Sequence, residues 1–163
     1  MGCISSCTKD SATLNNNVNT GSSGSTARFA VVGNTLYTVS LTSLNIFDVA
    51  DKNNPTPAGT AKLGVAIETV FSRDAATLFV GSLNGMYIFD ISNRLLPNQL
   101  ALYQHFTSCD PVVADQNYAY LTLSSKSIGR RCVRGVNELE IIDISNLRNP
   151  QVIKMKLCEY SGS

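Results

Sequence analysis

The sequence predicts an all-β chain built from repeated four-stranded units, and three observations carry that expectation. From residue 27 onward, short β-branched and aromatic runs alternate with Gly, Asn, Asp and Pro. No 3.6-residue apolar periodicity persists beyond two turns. A marker of the form apolar-x-apolar-apolar-Asp recurs three times: Leu44 to Asp48, Met86 to Asp90 after 42 residues, and Leu139 to Asp143 after a further 53. A fixed period of this length decides a fold more firmly than local propensity does.

A second marker locates the irregularity. The strand signals Leu36-Tyr37, Leu78-Phe79 and Ala119-Tyr120 step by 42 and then 41 residues. The third repeat therefore carries its extra length after Tyr120, as an insertion at about 124–135. In the first repeat the strands are expected at 28–32, 35–40, 44–49 and 57–62, with Gly33-Asn34 as a two-residue hairpin between the first two. In the second repeat Asn84-Gly85 is the strongest hairpin signal and falls between the second and third strands. Each third strand ends in an Asp followed by polar residues and, seven positions on, by Pro55, Pro97 or Pro150. An Asp side chain can accept from a backbone N–H two residues later, which starts a turn, and proline cannot extend a central strand. The repeats are bounded at about 27–65, 66–108 and 109–157.

Four antiparallel strands in about 42 residues is the length of one β-propeller blade. Phe47-Asp48-Val49, Phe89-Asp90-Ile91-Ser92-Asn93 and Ile142-Asp143-Ile144-Ser145-Asn146, the last followed by Pro150, resemble the LVIVD repeat of bacterial and archaeal cell-surface β-propeller proteins. The resemblance covers about 27–157. It implies a propeller and an envelope location, and brings little defined biochemistry. The sequence departs from the pattern at Arg94-Leu95-Leu96, where a proline-type turn is expected, and residues 157–163 do not lead into a fourth blade. Propellers close with about 4–8 blades. Three blades leave two apolar flanks, so the chain is expected to be part of a longer protein or, as the less favoured alternative, to complete a six-blade ring with a second copy.

The 163 residues are 44% hydrophobic and 15% charged, with 13 basic and 12 acidic side chains and a net charge of +1. Near-neutrality provides no long-range field to draw in nucleic acid or an anionic membrane. No apolar run reaches the roughly 18 residues a spanning helix needs. Residues 1–26 are dominated by Ser, Thr, Asn and Gly beyond their first few positions, and read as a flexible tether that cannot bury enough apolar area to offset its ordering entropy. Within it, Ser5-Ser6-Cys7 resembles the end of a bacterial lipoprotein signal, with Cys7 as the lipidated residue. Such an anchor requires no spanning helix. Met1-Gly2-Cys3-Ile4-Ser5-Ser6 also fits an N-myristoylation pattern, and an ordinary disordered start is the remaining alternative.

The five cysteines form no Cys-x-x-Cys pair, which argues against zinc. Cys109 and Cys132 are candidates for a disulfide pinning the insertion to its blade; two unrelated thiols are the alternative. His105, Glu68 and Asp110 are the candidate ligand or metal residues, since Glu68 and Asp110 align with Thr26 at the entry to the innermost strand of each blade. The competing reading is a solvated acidic rim. Asp48, Asp90 and Asp143 read as structural, because a residue present once per blade at a strand end serves the blade. Lys126, Arg130, Arg131 and Arg134 read as a solvated basic loop rather than a phosphate site. No nucleophile elbow, phosphate loop or dinucleotide fingerprint is present. These readings lead to a non-enzymatic, surface-exposed interaction scaffold for a protein or glycan, without a cofactor. The alternatives are a metal-assisted hydrolase at the channel mouth and a truncated product with no independent role.

Overall fold

The computed structural model of the chain describes residues 27–104, 112–123 and 138–157. Twelve strands form three antiparallel sheets of four, each taken in sequence order, and no helix occurs among the described residues. Blade 1 contains β1 (Phe29–Val32), β2 (Thr35–Val39), β3 (Ser43–Asp48) and β4 (Thr56–Lys62). Blade 2 contains β5 (Ile67–Ser72), β6 (Thr77–Ser82), β7 (Gly85–Asp90) and β8 (Asn98–Gln104). Blade 3 contains β9 (Val112–Ala114), β10 (Tyr118–Leu123), β11 (Glu138–Asp143) and β12 (Gln151–Leu157). The expected all-β, propeller-like arrangement of three four-stranded blades is the one observed.

Strand alternation gives every blade two apolar faces, and the blades stack through them. Tyr37, Val39, Leu44 and Ile46 of blade 1 pack against Leu78, Val80, Tyr87 and Phe89 of blade 2. The opposite face of blade 2, with Phe79, Met86 and Ile88, packs against Ala119, Leu121 and Ile142 of blade 3. A sheet buried on both sides has no polar face, which is why β6 and β7 read as nearly continuous apolar runs rather than as alternating strands. Burial of this kind contributes about 25 cal/mol per Å² of apolar surface and is the main term holding the blades together. The first strands lie nearest one another: β5 contacts β1 and β2, and β9 contacts β5 and β6. Backbone bonds from Ile67 N–H to Leu41 C=O and from Val70 N–H to Ala27 C=O, both 2.9 Å, join the first two blades there.

Two features refine the sequence reading. The β6–β7 hairpin is shifted by one residue: Ser82 pairs with Gly85, so Leu83 and Asn84 form the loop and Gly85 opens β7. Gly85 has φ of 155°. A Cβ there would collide with the Tyr103 carbonyl oxygen on β8, so close strand approach places the glycine in the strand rather than in the turn. The second feature is a bulge between the third and fourth strands at the same point in every blade, after Ile46, Ile88 and Ile141. In each case one extra residue on the outer strand, Ala58, Leu100 or Ile153, has no partner, and the outer strand twists away from the ladder.

Candidate functional site: the grooves between neighbouring blades

The polar residues that recur with the blades gather at one end of the sheets. Asp48, Asp90 and Asp143 each accept, through Oδ1, the N–H of the residue two positions on (Ala50, Ser92 and Ser145), all at 2.8 Å. A β-turn follows in each blade, from Asn54 N–H to Asp51 C=O, Leu96 N–H to Asn93 C=O and Asn149 N–H to Asn146 C=O, at 3.0–3.1 Å. The residue after each Asp reaches back to the neighbouring hairpin: Val49 to Asn34, Ile91 to Ala76 and Ile144 to Asn117, each at 2.8 Å. The structural reading of these aspartates therefore stands. Each organises a turn that the blade needs, because a carboxylate replaces the missing ladder partners. The side-chain and backbone donors of Ser92 hold the Asp90 carboxyl below its usual range, and those of Ser145, backbone first, do the same for Asp143.

Two further aspartates, 41 residues apart like the second strand marker of their blades, do the same work in the first hairpin of blades 2 and 3. Asp74 accepts from Ala76 N–H, and Asp115 accepts from Asn117 and Tyr118 N–H, all at 2.8 Å. In blade 1 the place of the aspartate is taken by Val32, and the hairpin that follows is Gly33-Asn34, where Gly33 takes φ of 58°. The turn is made by backbone freedom in one blade and by a carboxylate in the other two.

Between the rim turns of adjacent blades lie two open grooves, related to each other by the repeat. The first, of about 550 Å³, is lined by Gly33, Asn34 and Asp48 of blade 1 and by Ser92, Asn93 and Arg94 of blade 2. The second, of about 510 Å³, is lined by Arg73, Asp74, Thr77 and Asp90 of blade 2 and by Leu147 of blade 3. Their chemistry differs at several equivalent positions: Gly33, Asn34 and Arg94 in the first correspond to Ala75, Ala76 and Leu147 in the second, and Arg73 and Asp74 of the second correspond to Val31 and Val32. In the second groove the cation is engaged internally: Arg73 donates to Asp74 Oδ2 at 2.7 Å, Thr77 Oγ1 at 2.9 Å and the Gln116 carbonyl at 3.3 Å, bridging blades 2 and 3. In the first groove the Arg94 guanidinium lies over Gly33, where an added Cβ would stand 3.4 Å from Cζ. Arg94 forms no ion pair with any described residue. Its main chain is fixed instead, because the buried Tyr37 hydroxyl donates to the Arg94 carbonyl at 2.7 Å. Burial, partly opposed by the Arg94 charge, pushes the Tyr37 hydroxyl up to about 12.

Of the residues named from sequence, Glu68 lies in β5 at an interruption of the ladder, between Ile67, which pairs with Ser82, and Thr69, which pairs with Gly81. His105 and Asp110, the candidate disulfide Cys109–Cys132, the lipidation candidate Cys7 and the insertion at 124–135 lie outside the described residues. Among the described residues no group of three His, Cys, Asp or Glu side chains is placed to hold a metal ion. The departure from the repeat pattern at Arg94 marks the groove residue, and that is the one signal by which the sequence could have located this site.

The fold and the recurring rim thus define a β-propeller-like repeat scaffold. The chain carries LVIVD repeats: the family matches residues 78–104, which span most of β6 to β8, and residues 132–155, which span β11 and most of β12. Blade 1 lies outside both matches yet repeats their turn and bulge. No curated protein matches the chain. Among solved structures, it is similar to one titled "Crystal Structure of the N-terminal Domain of Nup159", at 11% identity and a TM-score of 0.49, over 80% of this chain and 30% of that one. The chain spans less than a third of that domain's length.

Proposed function

We propose that the chain is a non-enzymatic interaction scaffold that binds a protein or glycan through the groove holding Arg94. The observation that supports this reading is the contrast between the two grooves. The repeat supplies the same turn framework twice, and one copy presents a cation over a glycine while the other turns its cation into a bridge between blades. A guanidinium flanked by Asn34, Asp48, Ser92 and Asn93 offers donors and acceptors suited to a carboxylate-bearing side chain or sugar acid. The resemblance to surface proteins and the composition of residues 1–26 support an envelope location with Cys7 lipidated.

Binding to panels of acidic peptides and of uronic-acid oligosaccharides, measured with the full chain, tests the groove. Arg94→Ala is expected to lower affinity for the bound class about tenfold, the effect of losing about 1.4 kcal/mol, whereas the exposed Arg148→Ala leaves it unchanged. Equal affinities for the two variants would refute the assignment. Membrane fractionation of cells expressing the chain behind a secretory leader, with and without Cys7→Ser, tests the anchor.

A further inference from the structure

The turn after the third strand is built the same way in every blade, so the blades serve as controls for one another. Its closing bonds, from Asn54 N–H to Asp51 C=O, Leu96 N–H to Asn93 C=O and Asn149 N–H to Asn146 C=O, all lie at 3.0–3.1 Å. The two residues ahead of the following proline are Asn53-Asn54 in blade 1 and Arg148-Asn149 in blade 3, but Leu95-Leu96 in blade 2. Polar side chains therefore suffice to make this turn. Burial does not account for the leucines either: Leu95 is 43% exposed and Leu96 72% exposed, so both forgo much of the stabilisation that an aliphatic side chain gains by leaving water. They adjoin the groove cation, and Leu95 lines the groove beside Arg94.

The main chain beneath these side chains is held. The Tyr37 hydroxyl donates to the Arg94 carbonyl at 2.7 Å, and the Leu95 carbonyl lies over Gly59 of β4, where an added Cβ would stand 3.8 Å from the oxygen. A cation without an ion pair among the described residues and two exposed leucines are thus carried on one fixed turn. Such preorganisation lowers the ordering cost of binding.

Taking the Arg94 groove as the binding site, a reading on which this one rests, we propose that its ligand is a peptide segment in which an acidic residue stands beside aliphatic ones. The carboxylate pairs with the Arg94 guanidinium, and the aliphatic side chains cover Leu95 and Leu96. The guanidinium alone would suit a peptide carboxylate or a sugar acid equally, since its planar fork matches either. The leucines separate the two. A sugar laid on them would lose water from its hydroxyls without gaining donors or acceptors in return, whereas an aliphatic side chain removes apolar surface from water on both partners. The Asp48 carboxylate in the same groove already accepts the Ala50 N–H through Oδ1 at 2.8 Å. Cation and apolar surface occupy consecutive residues, so the matching features of the ligand must also be close in its sequence.

The test is selection from a random peptide display library on the full chain, followed by fluorescence polarisation of the enriched peptides. The same peptides are titrated against Arg94→Ala and against the double variant Leu95→Asn with Leu96→Asn, which gives this turn the pair that blade 1 carries; circular dichroism confirms that both retain their β signal. Enriched peptides are expected to place Asp or Glu beside Leu, Ile, Val or Phe, and each variant is expected to bind them about tenfold more weakly. Peptides whose affinity falls with Arg94→Ala but not with the leucine change would overturn the inference and leave the groove assignment standing. So would Arg94-dependent binding of a galacturonic acid oligosaccharide in a screen from which no peptide is enriched. Binding of every probe unaltered by Arg94→Ala would overturn the groove assignment and this inference together.

Discussion

The Tyr103 hydroxyl of blade 2 donates to Oε2 of Glu140 in blade 3 at 3.1 Å. Glu140 is buried among apolar neighbours on the front face of its blade, at the position that Tyr87 fills in blade 2 and Asn45 in blade 1. A carboxylate there is tolerated only while donors surround it, since its desolvation is otherwise costly. Burial first, then the Glu140 charge and the hydrogen bond, raise the Tyr103 hydroxyl well above the usual phenolic range.

Tyr103→Phe, which removes one donor from that carboxylate, is expected to destabilise the chain by about 1–3 kcal/mol. Glu140→Gln, which keeps an acceptor while removing the charge, should lessen the effect of the tyrosine change. Urea unfolding of the two single variants and the double variant measures the coupling. Strictly additive losses would show that the two groups do not interact.

Alkaline titration should separate the tyrosines. Tyr37 and Tyr103 are raised by burial, and Tyr120 is raised by its bond to Asp115. A hydroxyl whose folded pKa lies above its unfolded value near 10 contributes stability that is fully present below pH 10. That contribution is lost as pH rises through the folded values. The ultraviolet absorbance of tyrosinate is expected to develop later in the folded chain than in urea, with stability declining above about pH 10. One common titration near 10 in the folded chain would contradict this.

Acid should act through the turns. Asp90, Asp115 and Asp143 are lowered mainly by donors two residues on; at Asp74, burial raises the pKa but is outweighed by the Ala76 N–H and the Arg73 guanidinium. Carboxyls with depressed folded pKa contribute stability present above their unfolded value of about 3.9 and lost as pH falls through the lower folded values. Unfolding midpoints should therefore be level near neutrality and drop below about pH 4. Asp143→Asn, which keeps the turn acceptor, is expected to retain more stability than Asp143→Ala. Identical midpoints for the two variants would count against the turn assignment.

Two glycines distinguish conformational strain from collision. Gly64 has φ of 76° with open space where a Cβ would stand, so Gly64→Ala should cost about 1 kcal/mol. Gly85→Ala adds a collision with the Tyr103 backbone and should cost at least about 3 kcal/mol. Comparable losses from the two substitutions, measured by thermal unfolding, would rule out the close β7–β8 approach at Gly85.

Much of the blade was legible residue by residue. The Asp-plus-proline spacing located the third strand and the turn after it, because an aspartate that caps a turn acts over two residues and leaves a local trace. The Asn84-Gly85 signal misplaced its turn by one residue, since the glycine answers to Tyr103 on a different strand. The common bulge after Ile46, Ile88 and Ile141 was not read from the sequence either: its extra residues, Ala58, Leu100 and Ile153, are ordinary aliphatics of a type that also occupies paired positions in the same strands. At the candidate site, the repeat pattern marked Arg94 as a departure without saying what it faces. The groove exists only because the turn of blade 2 is carried against Gly33 of blade 1, and Tyr37 fixes it there from 57 positions away.

By itself, then, the sequence determined the all-β class, the repeat period, the strand order within each blade and the structural duty of the recurrent aspartates. All of these follow from interactions within one repeat. Only the tertiary structure decided which face of each blade meets which neighbour, that Arg73 is consumed in a bridge while Arg94 is presented to a groove, and that Glu140 is buried beside Tyr103. Those outcomes depend on stacking between blades, where residues far apart in the chain become neighbours and burial sets the strength of every charge and hydrogen bond.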